Sequence, residues 1–173
     1  MKRMIVVLVA VATLAVVVFT ASASRHPAQD GAPIFVKTIP TGYRDWKLIS
    51  VAQERGSLND IRAILGNDVA MKSYRGGRLP FPDGAIIARI AWSYDASEEN
   101  NKIFGQEQSF VAGAPKNGVQ FMVKDSKKYA STGGWGFAHF DNGKPADDSV
   151  LKTCFPCHAK LEGRDLVFTR YAP

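Results

Sequence analysis

Both cysteines of the chain and one of its three histidines fall within five consecutive positions, Cys154-Phe155-Pro156-Cys157-His158. Several chemistries use such a cluster. A redox disulfide across Cys-x-x-Cys usually opens a helix after a strand in a βαβ unit, and nothing in this sequence alternates strand and helix in that way. Zinc takes four ligands, commonly from two pairs, and the remaining histidines, His26 and His139, belong to no second pair. A haem accounts for all three residues at once. Two sulfurs three positions apart lie on one side of a helical turn, where they can add to the two vinyl groups of one porphyrin. The following imidazole then points at the iron from the same side. Cys-x-x-Cys-His is the attachment signature of c-type haem, so the expectation is one haem c per chain, covalently bound through Cys154 and Cys157, with His158 as axial ligand of the iron.

Such attachment takes place outside the cytoplasm, and the N-terminus agrees with export. Lys2 and Arg3 precede an apolar or small stretch from Met4 to Phe19, and Ala21-Ser22-Ala23 supplies a small-x-small cleavage signature. Residues 1–23 are read as a signal peptide rather than a retained anchor, the apolar stretch being short for a span of roughly 20 residues. The expected location is periplasmic or secreted, with no membrane contact after cleavage. Of 22 Lys plus Arg, all but Lys2 and Arg3 remain, against 16 Asp plus Glu, a net charge of about +4. The basic residues are spread along the chain except for Lys124, Lys127 and Lys128, which argues against a nucleic-acid partner.

The elements that must position the motif are mostly strands, and the fold class expected is mainly β (α+β): an antiparallel sheet with a few short helices. Residues 24–42 carry Pro27, Gly31, Pro33, Pro40 and Gly42 and read as a loose lead-in. The single domain then runs over 43–173. Strands are expected at Trp46–Gln53, Ile61–Leu65, Ser109–Ala112, Val119–Lys124, Trp135–Asp141 and Leu166–Tyr171. In "AIIARIAWSY", Ile86, Ala88, Ile90, Trp92 and Tyr94 share one face, and Ile87, Arg89 and Ala91 the other. "AGAPKNG" and "DNGKPADD" read as connections. Asp68 is placed as the cap of a short helix closed by Gly76-Gly77. Asp147, Asp148 and Ser149 are candidate caps of the helical turn carrying the cysteines, and Gly163 its stop. Pro156 inside that turn predicts a short or distorted helix.

"YRDWKLISV" (43–51), "ILGNDVAMKSYR" (64–75), "PFPDGAIIARIAW" (80–92), "VKDSKKYASTGGWGFAHF" (123–140) and "DLVFTRY" (165–171), taken together with CFPCH, resemble the cytochrome P-460 family, which is related to cytochrome c′-β. The resemblance implies a homodimeric β cytochrome with His158 below the iron and an open or weakly occupied site above it. Members of the first kind oxidise hydroxylamine; the c′-β relatives bind nitric oxide and similar small ligands. In the hydroxylamine-oxidising members a lysine on the strand after the Asp-Gly turn is joined to the porphyrin. Counting from Asp83-Gly84, that position falls on Arg89, whose guanidinium stays protonated and is a poor nucleophile. The glutamate that takes protons from hydroxylamine aligns with Gln120, whose amide cannot serve as a base.

The distal-site candidates are therefore Arg89, Gln120 and Phe81. Arg89 is read either as facing the haem or as pairing with an acidic side chain at the sheet surface. Met122 shares a face with Gln120 and is either a sixth ligand or apolar filler; His139 is either an iron ligand or a buried or surface histidine without iron. The run from Lys124 to Lys128 reads as a solvated turn. Three functions stay in play: binding of nitric oxide or a related small nitrogen species, hydroxylamine oxidation, and electron transfer to a redox partner protein.

Overall fold

The computed structural model describes residues 35–172, so the expected signal peptide and the first part of the lead-in, His26 included, lie outside the described residues. Six strands form one antiparallel sheet in sequence order: β1 (Lys47–Glu54), β2 (Asp60–Gly66), β3 (Ile86–Ala96), β4 (Phe110–Lys124), β5 (Trp135–Asp141) and β6 (Lys144–Pro145). Four short helices complete it: α1 (Asp68–Arg75), α2 (Glu98–Phe104), α3 (Asp148–Leu151) and α4 (Cys154–His158). The mainly β, antiparallel class expected from the sequence is the class observed.

The two faces follow from the period-two alternation of strand side chains. Ile64, Ile87, Met122 and Phe137, adjacent across β2 to β5, build one face together with Trp135. Leu65, Ala88, Ile90, Phe121, Ala138 and Phe140 build the other. On the first face lie α1, through Ala70 and Met71, and the C-terminal segment, through Leu166 and Val167. The second face is covered by Val36, Ile39, Tyr43 and Trp46. Thus the described end of the lead-in is packed, although between residues 35 and 42 it carries no regular element beyond a bridge from Phe35 to Phe137.

Several expectations need correction. β4 is one 15-residue strand, where two strands and a connection were expected. Its "AGAPKNG" stretch is absorbed into the pairing with β3 by register shifts near Trp92, with Asn117 and Gly118 both at positive φ. α2 went unforeseen; Ser97 caps it, its Oγ accepting from the Asn100 N–H at 3.4 Å. Asn67, not Asp68, is the N-cap of α1. Gly163 does not stop the turn after the motif: a 3-10 segment, Ala159–Arg164, runs through it and ends at Asp165, in the left-handed region. Leu166–Tyr171 is not a strand, because Leu166 is itself at positive φ and its carbonyl is engaged by a side chain. α4 spans only five residues, as Pro156 predicted.

Candidate functional site

The cysteine turn is held against the first face of the sheet. Asp147 precedes α3, Leu151 is buried, and Phe155 packs on the core. The sequence then runs through α4 and the 3-10 segment and returns across the same face. Between these layers lies a cavity of about 580 Å³. Its walls include Ile64, Ile87, Met122 and Phe137 from the sheet, Cys154 and His158 from α4, and Val167 to Arg170 from the returning segment.

His158 is the best-defined group. Its Nδ1 lies 2.7 Å from the Leu166 carbonyl oxygen. A carbonyl only accepts, so Nδ1 carries the proton and donates it, and Nε2 is left with the free lone pair. Phe137 and Phe168 flank the imidazole, with ring centroids 5.1 and 4.9 Å away. Burial lowers the imidazole's pKa below its usual value against the opposing pull of the Leu166 carbonyl, so the ring stays neutral. A neutral imidazole with Nδ1–H fixed and Nε2 free is the state in which histidine binds a metal.

Both thiols are free. Burial, and secondarily Cys157, raise the Cys154 thiol above its usual value. An attacking thiol in a dithiol oxidoreductase is shifted the other way. Cys157 is exposed and does not line the cavity. Among the described residues, no group of three or more His, Cys, Asp or Glu side chains could hold a metal ion.

Opposite the cysteine turn, Arg89 and Gln120 both line the cavity and are register partners, continuing the row Ile64, Arg89, Gln120, His139. Arg89 does pair with a carboxylate, but a buried one on the cavity side rather than one at the surface. Its Nη2 donates to Asp60 Oδ2 at 2.6 Å, and Asp60 is fully buried. Arg62 Nε donates to the other oxygen at 2.7 Å, and Asn117 Nδ2 donates to Oδ2 at 2.6 Å. Burial works to raise the Asp60 carboxyl, but the hydrogen bonds from Arg62 and Asn117 and the charges of Arg89 and Arg62 outweigh it, so it titrates below its ordinary range.

Gln120 Nε2 sits 3.4 Å from His139 Nδ1 and donates to it; His139 Nε2–H then points to Asp141 Oδ1 at 3.2 Å. His139 is thereby tied to its neighbours and is not among the cavity walls. Met122 is. Phe81, expected to wall the haem, is not. Its N–H donates to Asp165 Oδ2 at 2.8 Å, and its ring is turned into the core, edge-on to Tyr74 and Trp135 at 4.9 and 5.6 Å.

Sequence reasoning missed Asp60, Arg62 and Glu54, the last two of which line the cavity. Asp60-x-Arg62 on one strand places both side chains on one face, a signal that was present. Glu54 ends β1 as the register partner of Asp60, with its Oε1 3.6 Å from Arg62 Nη1.

These residues fit a haem: a cavity of the size that cofactors use, roughly 300–1,000 Å³, with apolar walls from Ile64, Ile87, Met122 and Phe137, polar groups from Arg62, Arg89 and Gln120, and a thiol and a prepared imidazole at its edge. A model of the cytochrome P460 family matches residues 40–169. The chain belongs to the cytochrome P460 family. Membership makes it a haem protein, in agreement with the cavity. No curated protein matches this cytochrome P460 chain.

Proposed function

We propose that this cytochrome P460 chain carries one haem c, joined through Cys154 and Cys157 with His158 as the axial ligand, and binds nitric oxide or a related small nitrogen species on the opposite side. The observation that carries the reading is the His158 tautomer: Nδ1–H is committed to Leu166 O at 2.7 Å, which leaves Nε2 as the ligating nitrogen beside the cavity. A bound haem would supply an iron able to take a small ligand and to exchange one electron. The chain's own residues do the rest. Ile64, Ile87, Met122 and Phe137 exclude water, and Arg89 holds a donor-rich guanidinium at the wall, oriented by Asp60. Gln120 adds an amide that can donate or accept but cannot take a proton from a substrate.

Export to a periplasmic or external compartment belongs to this reading, supported by Lys2, Arg3, the apolar run from Met4 to Phe19 and Ala21-Ser22-Ala23. A homodimer belongs to it as well. Ile103 and Phe104 of α2, and Phe110 and Val111 at the start of β4, are exposed, large apolar side chains of the kind that a second copy covers.

Hydroxylamine oxidation is the second reading, and one observation favours it: the Glu54 carboxylate lines the same cavity. Electron transfer is the third, favoured by Met122 on the cavity wall. Two measurements on the haem-loaded protein decide the chemistry. Denatured chain should retain the mass of one haem, and Cys154→Ser with Cys157→Ser should lose it. Hydroxylamine with an artificial electron acceptor should give no sustained turnover; turnover abolished by Glu54→Gln would replace the first reading with the second.

A further inference from the structure

Lys124 ends β4 and looks, in sequence, like the first residue of a solvated basic run. It is only 5 % exposed. A buried ammonium requires partners, and it has them: Asp165 Oδ1 at 2.7 Å, Asp165 Oδ2 at 3.0 Å and the Gly133 carbonyl at 3.0 Å, with the Trp135 ring centroid 4.9 Å away. Asp165 is in turn fixed from other directions. Its carboxylate accepts from the Phe81 N–H at 2.8 Å, its carbonyl accepts from Trp135 Nε1 at 2.8 Å, and its own N–H donates to Glu162 O at 3.1 Å.

The next residue is Leu166, the one whose carbonyl receives the His158 proton. Asp165 and Leu166 have φ of 48° and 63°. Two successive non-glycine residues in the left-handed region persist only where the surroundings over-determine them. This pair of residues turns the Leu166 carbonyl toward His158.

We propose that Lys124 and Asp165 are positioning residues: their buried ion pair holds the Leu166 carbonyl on His158 Nδ1–H and so sets how strongly the imidazole binds iron. The proposal rests on His158 being the axial ligand. A fixed acceptor on Nδ1–H makes the other nitrogen a stronger donor, which favours ferric over ferrous iron. Stability alone is a poor reason for such a pair, since a buried salt bridge is often matched by apolar residues of similar volume.

The test uses the full haem-loaded chain with Lys124→Met, Lys124→Arg and Asp165→Asn. The last keeps the side-chain size and an acceptor for the Phe81 N–H. The expected result is a higher midpoint potential and a lower-frequency iron–histidine vibration in the reduced Lys124→Met and Asp165→Asn proteins, with Lys124→Arg closer to the unaltered protein. Folded variants whose potential and vibration match the unaltered protein overturn the proposal. Should those variants fail to fold, hydrogen exchange on the unaltered protein still decides. The Asp165 and Leu166 amides should exchange as slowly as those of Phe121 and Met122, and exchange at the rate of an exposed loop overturns it. A haem spectrum unchanged by His158→Ala removes the axial assignment itself, and the proposal with it, an outcome distinct from silent variants at 124 and 165.

Discussion

Asp60 shows how much a single carboxylate can organise. It is fully buried between two guanidiniums, and the pair it forms with Arg89 is 2.6 Å long with both side chains largely screened from water. Removing its charge leaves Arg62 and Arg89 side by side with only the more distant, half-exposed Glu54 carboxylate, 3.6 Å from Arg62, to offset them, and breaking a buried pair in this way costs about 3–5 kcal/mol. Asp60→Asn should therefore lower the urea midpoint of unfolding by the equivalent of about 3 kcal/mol at neutral pH, with little change in the slope. The pH dependence has a definite sign. The folded-state carboxyl titrates below its ordinary value of 3.8, so its contribution is complete above the unfolded value and is lost as pH falls through the lower, folded one. The stability gap between the native chain and Asp60→Asn should stay constant down to about pH 4 and close below it; a gap that widens in acid would contradict the ion-pair assignment. Asp68 and Asp83 are also shifted down, but both are solvent-exposed partners of surface groups and should contribute little.

At the scale of elements, Asn67 ties three pieces together. Its Oδ1 accepts from the Ala70 N–H at 3.0 Å and from the Ile86 N–H at 3.1 Å, while its Nδ2 donates to Gly84 O at 2.8 Å. One side chain thus caps α1, starts β3 and closes the Asp83-Gly84 turn. Asn67→Ala should cost about 1–2 kcal/mol, and Asn67→Asp should recover part of it by keeping the cap; equal stability of all three proteins in thermal melts would contradict this role. The elements were legible in the sequence where local pattern and global burial agree. Ile86 to Tyr94 is rich in strand-forming residues, and the face assigned to Ile87 and Arg89 is the one that meets the cavity. The short helical form of the cysteine turn was legible because its signal, Pro156 inside it, is contained in five adjacent residues. Long-range partners were not legible. Nothing near Lys124 announces that Asp165 will bury it, or that Leu166 will give its carbonyl to His158 and so withdraw residues 166 to 171 from strand pairing. Pro115 and Asn117-Gly118 have the composition of a turn, yet the pairing of β3 with β4 continues past them because Tyr94 to Ala96 supply partners further along. Phe81 was misplaced for the same reason: its direction is set by Asp165, which lies far away in sequence.

The whole molecule is a sheet with a different task on each face. One face is sealed by Val36 and Ile39 of the lead-in with Tyr43 and Trp46, and the other carries α1, the cavity and the cysteine turn. Beyond the shared sheet, Phe104 at the end of α2 and Phe110 at the start of β4 are 54 % and 53 % exposed. If a second copy covers this surface, Phe104→Ser with Phe110→Ser should convert a dimer into a monomer in sedimentation while leaving the haem spectrum intact; a dimer that persists would place the interface elsewhere. In the proposed holoprotein, His158 holds the iron from one side and the sheet leaves the other side open to a small ligand. The most direct test is the visible absorption spectrum of the haem-loaded protein, oxidised and reduced, before and after nitric oxide. The expected result is a high-spin c-type spectrum that changes on adding nitric oxide. A low-spin spectrum indifferent to nitric oxide would contradict it and place a second protein ligand, with Met122 the residue to replace first, on the iron.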